Sequence, residues 1–167
     1  ESVNAAEPFA QELAAAESLT IVHPYDDELI VTGQGTIALE MLDDVDDLDA
    51  IVVPIGGGGV IAGIATAAKA LSPKIEIIGV EAAQYPSMYE AIHGLTPTSG
   101  GNTIAEGIAI SAPGSAARQI VGRLVDDILV VSEFALETAV LTMLESSKVL
   151  AEGAGAAPLA ALMENRD

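Results

Sequence analysis

The chain has 167 residues, half of them hydrophobic but only 3% aromatic, and it contains no cysteine. Lys and Arg total 6 against 25 Asp and Glu, a formal charge of -19 at pH 7. That balance argues against nucleic acid and anionic membranes as partners, the lack of cysteine excludes disulfides and thiolate metal sites, and no apolar run is long enough to cross a bilayer.

The length is that of one domain, taken here as residues 1–167. A core of Ala, Val, Ile and Leu suits helices packed on a parallel sheet. The mean hydropathy of +0.46 is high for a chain of this charge and predicts apolar surface buried against further polypeptide. No basic segment followed by an apolar one opens the sequence, so the cytoplasm is the default location. An acidic surface of this kind also keeps a chain hydrated in salty surroundings.

Glu1 to Glu17 reads as an acidic, Ala-rich helix with Pro8 at its start and Phe9, Leu13 and Ala16 as one apolar stripe. Leu19 to Val22 reads as a short β-branched strand. His23-Pro24-Tyr25-Asp26-Asp27 follows as a polar loop, either a surface turn with Asp caps or a ligand loop at the strand's C-terminal end. Gly33-Gln34-Gly35-Thr36 opens the next helix, with Ile37, Met41 and Leu42 apolar and Glu40 exposed. The aspartates from Asp43 to Asp49 lack the central Gly and terminal Glu of a calcium loop and read as a solvated acidic turn.

Ile51 to Pro54 is a buried strand, Val60 to Leu71 a helix stopped by Ser72-Pro73, and Ile75 to Val80 a second apolar strand ending at Glu81. This is one right-handed βαβ unit with parallel strands. Tyr85 to His93 reads as a short helix and Gly94 to Asn102 as a loop. Ser115 caps a helix carrying Ile120, Val121 and Leu124, and Ile128 to Val131 is a fourth buried strand. Ser132 caps a long helix with Leu136, Val140, Met143, Leu144 and Ser147 at helical spacing. Glu152-Gly153-Ala154-Gly155 breaks it, and Pro158 lies in the first turn of a last, Ala-rich helix. The expected fold class is α/β, a parallel sheet flanked by helices in three layers.

Between the first two strands of the βαβ unit stand Gly56, Gly57, Gly58 and Gly59. Glycines let backbone amides approach an anion, and a helix starting there at Val60 adds unpaired N–H groups and a positive dipole end. Gly57, Gly59 and Ala62 also match the G-x-G-x-x-A form of a dinucleotide fingerprint, with Glu81 at about the place of the ribose-binding acid.

The stretch Val53-Pro54-Ile55-Gly56-Gly57-Gly58-Gly59-Val60-Ile61-Ala62-Gly63-Ile64 resembles the tetraglycine loop of the pyridoxal phosphate (PLP)-dependent threonine dehydratases, the fold type II group that also holds serine racemase and serine dehydratase. In the same order as in that family come His23 to Asp27, Gly33 to Glu40, Gly79-Val80-Glu81, Thr103-Ile104-Ala105-Glu106-Gly107, Leu124 to Ile128 and Glu152 to Gly155. The resemblance implies that Gly56 to Gly59 and the Val60 amide hold the PLP phosphate. It places Gly107 beside the pyridine ring and Glu152 in the segment facing the cofactor from the opposite strand end. It offers Glu81 as a divalent-cation ligand, with Tyr85 and Ser87 completing the set and a Ser standing where an Asp is expected; Glu81 also reads as a helix-capping acid.

The family's Schiff-base lysine lies in an N-terminal Ser-Phe-Lys-type segment, and the Ser or Cys facing the pyridine nitrogen lies in a glycine-rich segment. Neither motif occurs in these residues, whose lysines are Lys69, Lys74 and Lys148. The resemblance therefore implies the C-terminal part of the family's large domain: a truncated PLP-binding domain from an enzyme that converts threonine or serine to a 2-oxo acid and ammonia, inactive alone. Two other functions stay open, a dinucleotide-binding oxidoreductase domain and a non-catalytic interaction module. Either a second copy, giving a homo-oligomer, or a separate N-terminal segment is the expected partner.

Overall fold

The apolar runs become strands β1 (Ala50–Pro54), β2 (Glu76–Ala82) and β3 (Asp127–Val131) of the computed structural model, which describes residues 3–165. They form a parallel sheet in that order, with Ala50 opposite Glu76 and Ile78 opposite Asp127. Helices α1 (Val3–Glu17), α2 (Glu28–Gln34) and α3 (Thr36–Asp44) precede the sheet, and α4 (Gly59–Leu71) crosses from β1 to β2. Helices α5 (Ser87–His93) and α6 (Ser115–Leu124) lie between β2 and β3, and α7 (Glu133–Thr142) and α8 (Gly153–Glu164) follow.

Alternation along the strands sends side chains to two separate cores. Ile51, Val53, Ile77 and Ile128 pack with Ile61, Ile64 and Ala65 of α4 and with Val121 of α6. On the other face Val80, Ala82 and Val131 meet Leu136 and Ala139 of α7 and Ala157, Ala160 and Ala161 of α8. The three-layer α/β architecture is thus as expected. The acidic turn is anchored at one end, where the Glu76 N–H donates to the Asp49 carbonyl at 2.8 Å. Among the described residues no group of three or more His, Asp or Glu side chains is placed to hold a metal ion.

Several local expectations are corrected. Leu19 to Val22 is not a strand, so the expected fourth strand, Ile128 to Val131, is the third among the described residues. A β-branched run has strand propensity, but a strand needs a second backbone to pair with, and Leu19, Ile21 and Val22 stay about half or more exposed. The stripe of α1 is likewise exposed at Phe9 and Leu13, and among the described side chains of α1 Ala14 is the buried one. The start of the helix expected from Glu1 falls partly on residues 1 and 2, outside the described residues. Pro8 and Pro158 sit inside α1 and α8 instead of in the first turn, because both helices begin earlier, at Val3 and Gly153. A separate helix, α2, precedes Gly35. The short helix expected from Tyr85 starts at Ser87, after Pro86. Ser115 is the first residue of α6, not its cap.

Candidate functional site

Strand β1 delivers the chain at Pro54 to the glycine loop, and α4 begins at Gly59. The Ile55 N–H still continues the sheet, donating to the Val80 carbonyl at 2.7 Å. From there the backbone turns with Gly58 at φ 94°, a left-handed conformation that disfavours any side chain. The next hydrogen bond of the helix is Ala62 N–H to Gly58 O at 3.0 Å. The amides of Gly57, Gly58, Gly59 and Val60 have no protein acceptor among the described residues, although Gly57 to Gly59 are buried. Buried N–H groups are nearly always paired, so a cluster of unpaired ones at a helix N-terminus suits an anion.

The glycines also answer to the protein around them. A Cβ on Gly57 would lie 2.2 Å from the Tyr25 ring, one on Gly59 2.8 Å from the Tyr25 carbonyl, and one on Gly58 2.5 Å from the Met88 methyl. On Gly56 it would meet the Gly107 carbonyl at 3.2 Å. The absent side chains therefore let the His23–Asp27 loop, α5 and the Glu106–Ile108 turn close around the loop, which keeps one free side.

That free side is a cavity of about 410 Å³ lined by Gly56, Gly57, Gly58, Gly59, Val60, Gly107 and Glu152. The structure thus brings all these sequence-derived candidates together. Gly107 and Glu152 form the opposing wall: a Cβ on Gly107 would come 3.1 Å from the Glu152 carboxylate and 3.1 Å from the Ala154 methyl. Tyr25 and Gln34 also line the cavity and were not singled out individually. Their signals were present, Tyr25 in the polar loop read either as a surface turn or as a ligand loop and Gln34 between Gly33 and Gly35. Among the described residues no Lys or Arg lines the cavity, so backbone N–H groups and the α4 dipole are its resources toward an anion.

Glu81 lies elsewhere. It is fully buried, and its two carboxylate oxygens accept the N–H groups of Met88 and Tyr89, both at 2.8 Å. This is the geometry of a cap on the first turn of α5. Burial pushes its carboxyl up to about 7 against the pull of these amides, and the charge of Glu90 adds to the rise. Tyr85 and Ser87 are turned to other partners, the Tyr85 hydroxyl donating to Gly101 O at 2.9 Å and the Ser87 hydroxyl to Ile110 O at 2.7 Å. Glu81 does not line the glycine cavity, so it is not placed as a ribose acid beside this loop.

A strand–glycine–helix unit in a parallel sheet, with Gly107 and Glu152 lining the same cavity as the glycines, defines a domain of α/β type. The family model for pyridoxal-phosphate dependent enzymes matches residues 1–167, and the chain belongs to that family. PLP is the family's cofactor, and the unpaired Gly57–Val60 amides fit its phosphate. Among relatives, the catabolic L-threonine dehydratase TdcB of Staphylococcus aureus strain N315 is 44% identical over 160 residues, covering 95% of this chain and 46% of the relative. The chain thus spans about half the length of the curated relatives it matches. Among solved structures, a threonine deaminase from T.th. superposes with a TM-score of 0.87 at 36% identity, over 95% of this chain and 59% of that one. Maize serine racemase gives a TM-score of 0.88 at 35% identity, over 96% of this chain and 51% of that one. Among the described residues no helix is long and apolar enough to cross a membrane.

Proposed function

We propose that this chain is the phosphate-anchoring part of a PLP-dependent ammonia-lyase that acts on a hydroxyamino acid of the threonine or serine type, with residues 1–167 forming one PLP-binding domain. The observation that carries this reading is the set of unpaired amides from Gly57 to Val60 at the N-terminus of α4, facing Gly107 and Glu152 across one cavity. In this arrangement the amides and the helix dipole would hold the phosphate, and Gly107 and Glu152 would line the space left for the rest of the cofactor. When bound, PLP supplies an electron sink for deprotonation at Cα and departure of the β-hydroxyl. The residues of this chain bind and orient; none of Lys69, Lys74 and Lys148 lines the cavity. Lys69 is held by Asp126 at 2.8 Å, and the Lys148 ammonium donates to Glu145 O at 2.6 Å.

The cradle is tested by titrating the chain with pyridoxamine 5′-phosphate, whose phosphate is present but whose aldehyde is not. Binding that competes with inorganic phosphate is expected. Val60→Pro removes one donor while Pro is tolerated in a first helical turn, so it should weaken binding roughly tenfold, a loss of about 1.4 kcal/mol, with helical circular dichroism retained. Tight NADH binding without phosphate-probe binding would instead favour a dinucleotide site. PLP itself is expected to dialyse away, and no 2-oxo acid is expected from threonine.

The same reading includes a polypeptide partner. Phe9, Leu13, Ile21 and Val22 are exposed at 66, 40, 49 and 67%, an apolar surface suited to burial against another segment or a second copy. Sedimentation showing a monomer that binds no apolar dye would refute it.

A further inference from the structure

The loop between α1 and α2 is tied to the glycine loop by a series of directed contacts. His23 Nδ1 accepts the Asp26 N–H at 2.8 Å and the Tyr25 N–H at 3.3 Å, which closes the turn. The Asp26 carboxylate then reaches across to α6, where Oδ2 accepts the Ser115 N–H at 2.9 Å and Oδ1 the Ala116 N–H at 3.0 Å. It thereby caps, from 90 residues away in sequence, a helix that has no side-chain cap of its own. Gly114, the residue before that helix, is packed against Asp26 so closely that a Cβ would lie 2.7 Å from its Oδ1. The Gly114 N–H donates to the Gly57 carbonyl at 2.9 Å.

This last bond sets the direction of a donor in the cradle. The Gly57 carbonyl and the Gly58 N–H belong to one planar trans peptide and point in opposite directions. Holding the carbonyl toward Gly114 therefore holds the Gly58 N–H, which has no protein acceptor, away from Gly114. The Tyr25 ring stacked over Gly57 blocks rotation on the other side. Burial alone would raise the Asp26 pKa, but the amides of Ser115 and Ala116, with His23 nearby, hold it below the ordinary carboxylate value, as an ionised cap requires.

We propose that Asp26 is a positioning residue for the anion cradle, fixing the start of α6 and, through Gly114, the peptide plane that aims the Gly58 N–H. The inference rests on the phosphate-cradle reading above. Asp26 itself does not line the cavity. Its negative charge near an anion is unfavourable, so a role in positioning and a role through charge predict opposite effects on affinity when it is removed.

The test compares the 167-residue chain with Asp26→Ala, Asp26→Asn and Asp27→Ala. Asp27 caps the neighbouring α2 through the Leu29 N–H at 2.8 Å and the Ile30 N–H at 3.2 Å, and among the described residues its carboxylate makes no hydrogen bond to the glycine loop. Affinities are measured for pyridoxamine 5′-phosphate and for pyridoxamine, which lacks the phosphate. In Asp26→Ala the preference for the phosphate form should fall roughly tenfold, the equivalent of about one charge-assisted hydrogen bond. Asp26→Asn, which keeps one acceptor, should recover most of it, and Asp27→Ala should lose stability with the preference unchanged. Without ligand, the Gly114 amide should exchange with deuterium roughly tenfold faster in Asp26→Ala, while amides in the centre of β2 keep their protection. An unchanged preference or unchanged Gly114 exchange in Asp26→Ala overturns the role of Asp26, as does a higher affinity. If the wild-type chain binds neither probe, the cradle itself falls, which is a different result.

Discussion

At the scale of single residues, the four glycines were legible as a loop between strand and helix, but the reason each must be a glycine was not. Sequence pattern suggests access for a ligand, whereas the Cβ positions of Gly57 and Gly59 fall on Tyr25 and that of Gly58 on Met88 and Ala117. Gly58 alone among them has a positive φ. Glu81 shows the same limit. A carboxylate at the end of an apolar strand carries several readings in sequence, and only the approach of the Met88 and Tyr89 amides selects the cap. Its carboxyl, at about 7 in the folded chain against an ordinary 4.5, binds more protons folded than unfolded between those values. The stability it contributes is therefore complete below about pH 4.5 and is lost as pH rises through about 7, a change of roughly 3 kcal/mol. Urea midpoints should accordingly fall more between about pH 5 and about pH 8 in the wild type than in Glu81→Gln. Parallel slopes would show that Glu81 is ionised at no cost.

At the scale of elements, caps that are local in sequence were readable and remote ones were not. Ser132 was expected to open the long helix, and its hydroxyl does accept the Ala135 N–H at 3.1 Å. It also donates to Glu164 Oε1 at 2.6 Å, joining the start of α7 to the end of α8. Ser132→Ala should destabilise the chain by about 1 kcal/mol, the usual worth of an N-cap, read as a shift in urea midpoint; no shift would mean that the Glu164 link and the cap are both idle. The cap of α6 comes instead from Asp26, and no spacing rule connects the two. The helices holding Pro8 and Pro158 extend a turn or more ahead of the proline, because tertiary packing of the Ala-rich α8 outweighs one missing N–H.

For the molecule as a whole, the sheet separates two apolar cores, and stability is concentrated where both layers press on it. Leu136 is fully buried between α7, α8 and the sheet, while Phe134 two residues earlier is 76% exposed. Leu136→Ala should cost about 2–5 kcal/mol, and Phe134→Ala should stay within about 0.5 kcal/mol, both measured by urea denaturation. A large loss at Phe134 would mean that it is covered by a second copy in solution. The charge of -19 surrounds a cavity lined by no cationic side chain among the described residues, so under the proposed reading affinity for a phosphate depends on fixed dipoles at short range while the distant acidic surface is screened by salt.

The sequence by itself determined the α/β class, the order of the βαβ unit, the place of the glycine loop and the family, because hydrophobic period, glycine placement and motif order are all local or one-dimensional signals. It misjudged Leu19 to Val22, since strand formation depends on a pairing backbone that propensity does not supply. Only the tertiary structure decided what Glu81 does, which groups surround the glycines, and how Asp26 reaches α6. Those depend on which distant amides arrive within hydrogen-bonding distance, and that is set by the packing of helices on the sheet.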